Sequence, residues 1–163
     1  MRSEAGGGTK FLIYLPEVVP SSDPIREPFP DMPLTGSGRI LLVEDDSVVR
    51  DLLNTLLSRG GYDVVEASSG EEAVAIFRQP GAPFDLLVSD VVLPGMNGRE
   101  LYDHLEAHRP GLPVLFVSGY SHDVLSKSGL PPRAHLIMKP FRRRELMAKI
   151  REVLHTDVPH APY

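Results

Sequence analysis

Five side chains, widely separated along the chain, are of types that could share one piece of chemistry: Glu44, Asp45, Asp90, Ser118 and Lys139. Each lies just after an apolar run. Glu44 and Asp45 follow Ile40-Leu41-Leu42-Val43, and Asp90 closes Phe84-Asp85-Leu86-Leu87-Val88-Ser89 before the turn Val91-Val92-Leu93-Pro94-Gly95-Met96-Asn97-Gly98. Ser118 follows Pro113–Val117, and Lys139 follows Leu136-Ile137-Met138. Near-continuous hydrophobic runs of this kind are strands buried on both faces. In a parallel sheet all carboxyl ends open on one rim, where open α/β folds place ligands and chemistry. Three carboxylates gathered there repel one another unless a cation holds them. Hard oxygen donors without His or Cys suit Mg²⁺, which keeps several waters and shares its shell with phosphate. An amine and a hydroxyl opposite supply donors for phosphoryl oxygens. The coherent chemistry is phosphoryl transfer onto a carboxylate, with Asp90 as nucleophile and Lys139 and Ser118 holding the transferred group.

The elements that must position these residues run from about residue 39 to 155. Arg39–Val43 reads as a strand, followed by a helix in which Val48, Val49, Leu52, Leu53, Leu56 and Leu57 recur at helical spacing. Asp46 or Ser47 can cap it, and Gly60-Gly61 ends it. Tyr62–Ala67 is a second strand; Ser69 opens a helix that turns Ala73, Val74, Ile76 and Phe77 inward and stops at Pro80-Gly81. The third strand leads to Asp90, a helix covers 98–108, and Pro113–Val117 is the fourth strand. A short helix is expected over 121–127, then a fifth strand over Leu136–Met138 and a last helix over 142–154. Five alternations with short connections imply a parallel sheet with right-handed crossovers. The expected fold is α/β, a doubly wound five-stranded parallel sheet of the flavodoxin-like (βα)5 type, strand order 2-1-3-4-5.

Before this region, residues 1–15 carry Gly6-Gly7-Gly8 and the β-like run Phe11-Leu12-Ile13-Tyr14-Leu15. Residues 16–38 hold Pro16, Pro20, Pro24, Pro28, Pro30 and Pro33 and read as an extended linker, because that density of proline denies helix and central strand. Residues 156–163 form a C-terminal tail. The net charge of -5 argues against a nucleic-acid coat, and the absence of cysteine removes disulfides, Cys-ligated zinc and thiol catalysis. No apolar run approaches membrane-spanning length and no secretory signal opens the chain, so a soluble cytoplasmic location without direct membrane contact is expected. His104 and His108 lie four apart, as zinc ligands sometimes do. With Glu100, Asp103 and Glu106 around them, a solvated helix face is the better reading. Arg142-Arg143-Arg144 opposes the dipole at a helix start, so it stays solvated and serves solubility or partner contact in preference to DNA.

Four segments in order, Leu41-Leu42-Val43-Glu44-Asp45-Asp46, Asp90 with Leu93–Gly98, Val117-Ser118-Gly119-Tyr120 and Met138-Lys139-Pro140-Phe141, resemble the signature of two-component receiver domains over residues 39–155. The resemblance implies that Asp90 accepts phosphate from a phosphohistidine on a histidine kinase or a histidine phosphotransfer protein. It further implies Mg²⁺ bound by Glu44, Asp45, Asp90 and the backbone carbonyl of Val92, with Ser118 as switch hydroxyl, Lys139 on the phosphoryl group and a cis peptide before Pro140. Glu44 and Asp45 align with the family's paired acids because Arg50 and Leu52 then fall in register, which leaves Asp46 as the helix cap.

Two positions depart from the family pattern. Leu136 stands where receivers carry the aromatic residue that rotates on activation, and Val92 has no polar group to orient an attacking water, implying slow autodephosphorylation. Gly6–Pro16 resembles the end of a histidine kinase ATP-binding domain, so the chain is expected to be the C-terminal receiver of a hybrid histidine kinase, 1–15 being the remnant of that domain. Three rivals compete. An aspartyl-phosphate hydrolase would need an acid where Val92 stands, and a flavodoxin would need a phosphate-cradling loop where three acids lie. A pseudo-receiver used only for protein contacts would not need Asp90, Ser118 and Lys139 intact.

Overall fold

The structure is a computed structural model and describes residues 2–4, 8–10, 36–81, 83–119 and 134–156. Two compact units divide the chain, Met1–Asp31 and Met32–Tyr163. In the first, β1 (Arg2–Glu4) pairs antiparallel with β2 (Gly8–Lys10), Arg2 opposite Lys10. The polar sequences of these short strands carried no signal for that hairpin. The run expected at 11–15, the linker up to residue 35, the helix expected at 121–127 and the tail from 157 lie outside the described residues.

The second unit holds β3 (Arg39–Val43), α1 (Ser47–Ser58), β4 (Asp63–Ala67), α2 (Gly70–Phe77), β5 (Leu86–Asp90), α3 (Gly98–His108), β6 (Val114–Ser118), β7 (His135–Met138) and α4 (Arg143–Thr156). All five of its strands are parallel in the order β4-β3-β5-β6-β7, which is 2-1-3-4-5 counted within the sheet. The expected fold is the one formed.

Strand pleating explains how the sheet is held. Alternate residues point to opposite faces, so Leu41, Val43, Leu87, Phe116 and Leu136 join the core under α2 and α3. Ile40, Leu42, Val88, Leu115, Val117 and Ile137 join the core under α1 and α4, where Leu53, Leu57, Leu146 and Ile150 meet them. Tyr102 packs edge-on against Phe116, ring centroids 6.3 Å apart, fastening α3 to the sheet centre.

Helix α1 buries a narrower stripe than its six apolar positions suggest. At 100° per residue, Val48 to Leu57 sweep about 180° of the helix surface. Leu53 and Leu57 are buried and Val49 and Leu56 packed at the core side, while Val48 and Leu52 at the other extreme are 74% and 58% exposed. His104 and His108 also depart from a purely solvated face. Their rings stack at 4.9 Å, and Arg78, just past α2, approaches His104 Nε2 at 2.8 Å and His108 Nε2 at 3.5 Å. The pair therefore helps join α2 to α3.

Three helices start with side-chain caps. Asp46 accepts from the backbone N–H groups of Val48 and Val49, Ser69 accepts from Glu72 N, and Asn97 forms a reciprocal capping box with Glu100. Asp46 is thus committed to α1, as expected. Replacing it with Ala should lower unfolding free energy by about 1 kcal/mol, read as a shift in the urea midpoint.

Candidate functional site

The sheet carries the candidate residues to one rim. Val43 lies opposite Ser89, Asp90 opposite Val117, and Ser118 opposite Met138, so the ends of β3, β5, β6 and β7 come side by side. Glu44 follows β3 and is buried, whereas Asp45 is exposed beside it. Asp90 is the last residue of β5, Ser118 the last of β6, and Lys139 follows β7 directly.

Lys139 ties them together. Its ammonium donates to Glu44 Oε2 at 2.7 Å and to Asp90 Oδ2 at 2.9 Å, across 95 and 49 positions of sequence. Its own backbone N–H donates to the Ser118 carbonyl at 2.6 Å, and the following peptide to Pro140 is cis. The other Asp90 oxygen, Oδ1, accepts from Val92 N–H at 2.8 Å. The Asp90 carboxylate is therefore oriented at both oxygens, and its side chain keeps 14% of its surface open to solvent.

Electrostatics at this rim are unbalanced. Burial pushes the Glu44 carboxyl above its usual range; the Lys139 ammonium opposes this, and the charges of Asp90 and Asp45 add to the rise. For Lys139, burial acts to lower its value, but hydrogen bonds and charge attraction from Asp90 and Glu44 win and hold it above the usual lysine value. Three acids stand at this rim against the Lys139 ammonium, which pairs with two of them, and the Arg50 guanidinium behind the loop, so negative charge is in excess.

That surplus, borne by hard oxygen donors alone, fits a small divalent cation of the Mg²⁺ type. Among the described residues no three or more His, Asp or Glu side chains are clustered as a ready metal cage. Lys139 sits between Glu44 and Asp90 instead; the residues expected from the resemblance to hold Mg²⁺ are Glu44, Asp45 and Asp90 with the Val92 carbonyl.

Ser118 is fully buried at the end of β6. Leu136, half-buried on β7 opposite Phe116, packs into the core under α2 and α3. Val92 turns its side chain outward, 51% exposed.

Two supporting residues were not singled out for these tasks in the sequence. Arg50, read only as a register mark, donates from Nη1 to the Glu44 carbonyl at 2.7 Å and the Asp45 carbonyl at 3.3 Å, fastening the acidic loop to α1. The signal was an arginine four residues after the capping Asp46. Gly98 is the second: a Cβ there would lie 2.1 Å from the Asp90 carbonyl oxygen, so α3 starts against the backbone of Asp90 itself. Asn-Gly read as turn chemistry conceals that packing need.

Residues 40–151 match the response regulator receiver domain family, and the chain belongs to it. It is a receiver domain of two-component phosphorelay signalling. The chain is 36% identical over 162 residues to the sensor kinase CckA of Brucella abortus; the match covers 93% of the chain and 17% of that kinase. A crystal structure of the receiver domain of the hybrid histidine kinase CckA superposes with a TM-score of 0.61 at 35% identity, covering 72% of this chain and 99% of that one. The response regulator TrrA of Thermotoga maritima, in complex with Mg(2+)-BeF, superposes at 0.62 with 29% identity, covering 71% of this chain and 98% of that one.

The Lys139 bridge makes a checkable demand. Lys139→Ala leaves Glu44 and Asp90 confronting each other without a cation, and without divalent ions unfolding free energy should fall by about 2 kcal/mol. That is less than for a fully buried pair, since Lys139 and Asp90 retain some water. Chemical denaturation at neutral pH measures it.

Proposed function

We propose that Asp90 is the phosphoacceptor and that its donor is a phosphohistidine. The phosphorus–nitrogen bond of the donor breaks as a phosphorus–oxygen bond forms to the Asp90 carboxylate, and the departing imidazole keeps the bonding electron pair and takes up a proton. The observation that carries this reading is the Lys139 ammonium held between Glu44 and Asp90. It gives Asp90 a defined orientation and places a positive donor where phosphoryl oxygens would arrive. When bound, Mg²⁺ supplies neutralisation of charge on the phosphoryl oxygens. Ser118, at the end of the neighbouring strand, is assigned to the phosphoryl group as switch hydroxyl. Leu136 is assigned to the switch position, where an aliphatic side chain already packed in the core has no hydroxyl or ring edge to exchange with solvent.

The partner is a histidine-phosphorylated helical domain of a kinase, in the same chain or a cognate one, or a histidine phosphotransfer protein. Exposed Val48, Leu52 and Val92 supply apolar contact for such a domain. The match to CckA extends over 93% of this chain, beyond the receiver itself, and supports a hybrid histidine kinase as the parent protein, with residues 1–15 from its ATP-binding domain and 16–38 as linker. The proposed site of action is the cytoplasm; among the described residues no helix is long and apolar enough to cross a membrane.

Beryllofluoride with Mg²⁺, followed by ¹⁹F NMR, tests the phosphoacceptor. The wild type should form one adduct and Asp90→Ala none; no adduct in the wild type, or equal adducts in both, would sink the reading. Val92 gives a second test. Its side chain cannot hold an attacking water, so Val92→Asn should shorten the acyl-phosphate lifetime by about tenfold, followed by loss of ³²P from the isolated phosphoprotein.

A further inference from the structure

Downstream of Asp90, the loop 91–97 must hold Val92 at the site and still deliver Asn97 to cap α3. Most of its restraints are its own or the sheet's. Val91 N–H donates to the Val117 carbonyl, Gly98 N–H donates to the Val91 carbonyl, and Val91 and Leu93 are buried. One restraint comes from elsewhere. Glu71, in the first turn of α2, accepts from Met96 N–H through Oε1 at 3.1 Å.

Three further observations show that the two segments are fitted to each other. Gly95 has φ +75°, and a Cβ there would stand 2.8 Å from Glu71 Oε1, so the loop leaves room for this carboxylate. Gly70, just before Glu71, is buried, and a Cβ on it would lie 2.9 Å from both the Cβ and the carbonyl oxygen of Met96. The Glu71 carboxyl is held below its usual range, first by its own backbone N–H and then by that of Met96. The neighbouring Glu72 is turned to a different task, accepting from the backbone N–H and the hydroxyl of Ser68.

We infer that Glu71 is a positioning residue for the phosphoacceptor site: its carboxylate pins Met96 and thereby sets the loop that carries Val92 beside Asp90. It touches neither the phosphoryl group nor the residues assigned to Mg²⁺, and it acts through loop geometry alone. The inference rests on the assignment of Asp90 and Val92 given above.

A matched set of variants tests it: Glu71→Ala, which removes the acceptor; Glu71→Gln, which keeps an oxygen for Met96; and Glu72→Ala, which removes an acid from the same helical turn without touching the loop. Mg²⁺ affinity is measured by calorimetry, beryllofluoride adduct formation by ¹⁹F NMR, and exchange of the Met96 amide by ¹H–¹⁵N spectra. Glu71→Ala should weaken Mg²⁺ binding about tenfold, the scale of losing a group that orients a ligand. The same variant should speed Met96 amide exchange, while Glu71→Gln and Glu72→Ala stay within about twofold of wild type by the same criterion. Thermal unfolding of Glu71→Ala close to wild type separates positioning from general destabilisation. Wild-type Mg²⁺ affinity in Glu71→Ala, or an equal loss in Glu72→Ala, overturns the inference and leaves Asp90 as phosphoacceptor untouched. An absent wild-type adduct would instead remove the reading on which it rests.

Discussion

A single ammonium group organises the rim. Lys139 sits between two carboxylates from strands that are adjacent in space and remote in sequence, and each half of that bridge needs the other. Without the lysine, buried Glu44 would face the Asp90 carboxylate with no cation between them, and like charges repel. Without Glu44, Lys139 would have one partner and greater freedom. Under the proposed function, the ammonium that now holds both carboxylates would be the group available to phosphoryl oxygens once a cation neutralised the acids.

The sheet makes such an arrangement affordable. Glu44 is buried because the strand before it is apolar on both faces and runs inward to the rim, with Arg50 then holding its carbonyl from α1. The two cores differ in their sequence origin but share the same strands, so a shift of one strand would disturb both faces at once. Rim residues that end adjacent strands are therefore placed by the packing of the whole sheet, and only the loops after them have room to adapt.

Much of this was legible because strands buried on both faces write continuous apolar runs. The acids, the serine and the lysine could be placed on one rim from the positions where those runs stop, and Asp46 could be told from Glu44 and Asp45 by capping chemistry. The strand limits moved by a residue, with β4 starting at Asp63 and β6 extending to Ser118, because ladder pairing and not hydrophobicity decides where a strand ends. Less legible were the contacts that join loops across the fold. Arg50 is marked only by its spacing from Asp46, and nothing local marks Glu71 as the acceptor for a loop 25 positions on or Gly98 as the floor under Asp90. Periodicity also overstated the buried face of α1, since a wide apolar arc does not say which edge of it meets the core.

That unburied edge bears on how the charged pocket works. Val48 and Leu52 lie one helical turn apart on the helix that follows the acidic loop, and Val92 lies two residues beyond Asp90. A partner seated on these side chains would strip water from the margin of the pocket as it bound. The effective dielectric around Asp90 and Lys139 would then fall only in the complex, strengthening their hold on an incoming anion at the moment of contact. On its own, the open rim stays wet and its charges are muted. Under the proposed docking, these exposed apolar side chains would serve as a drying collar, making the strength of the site depend on company.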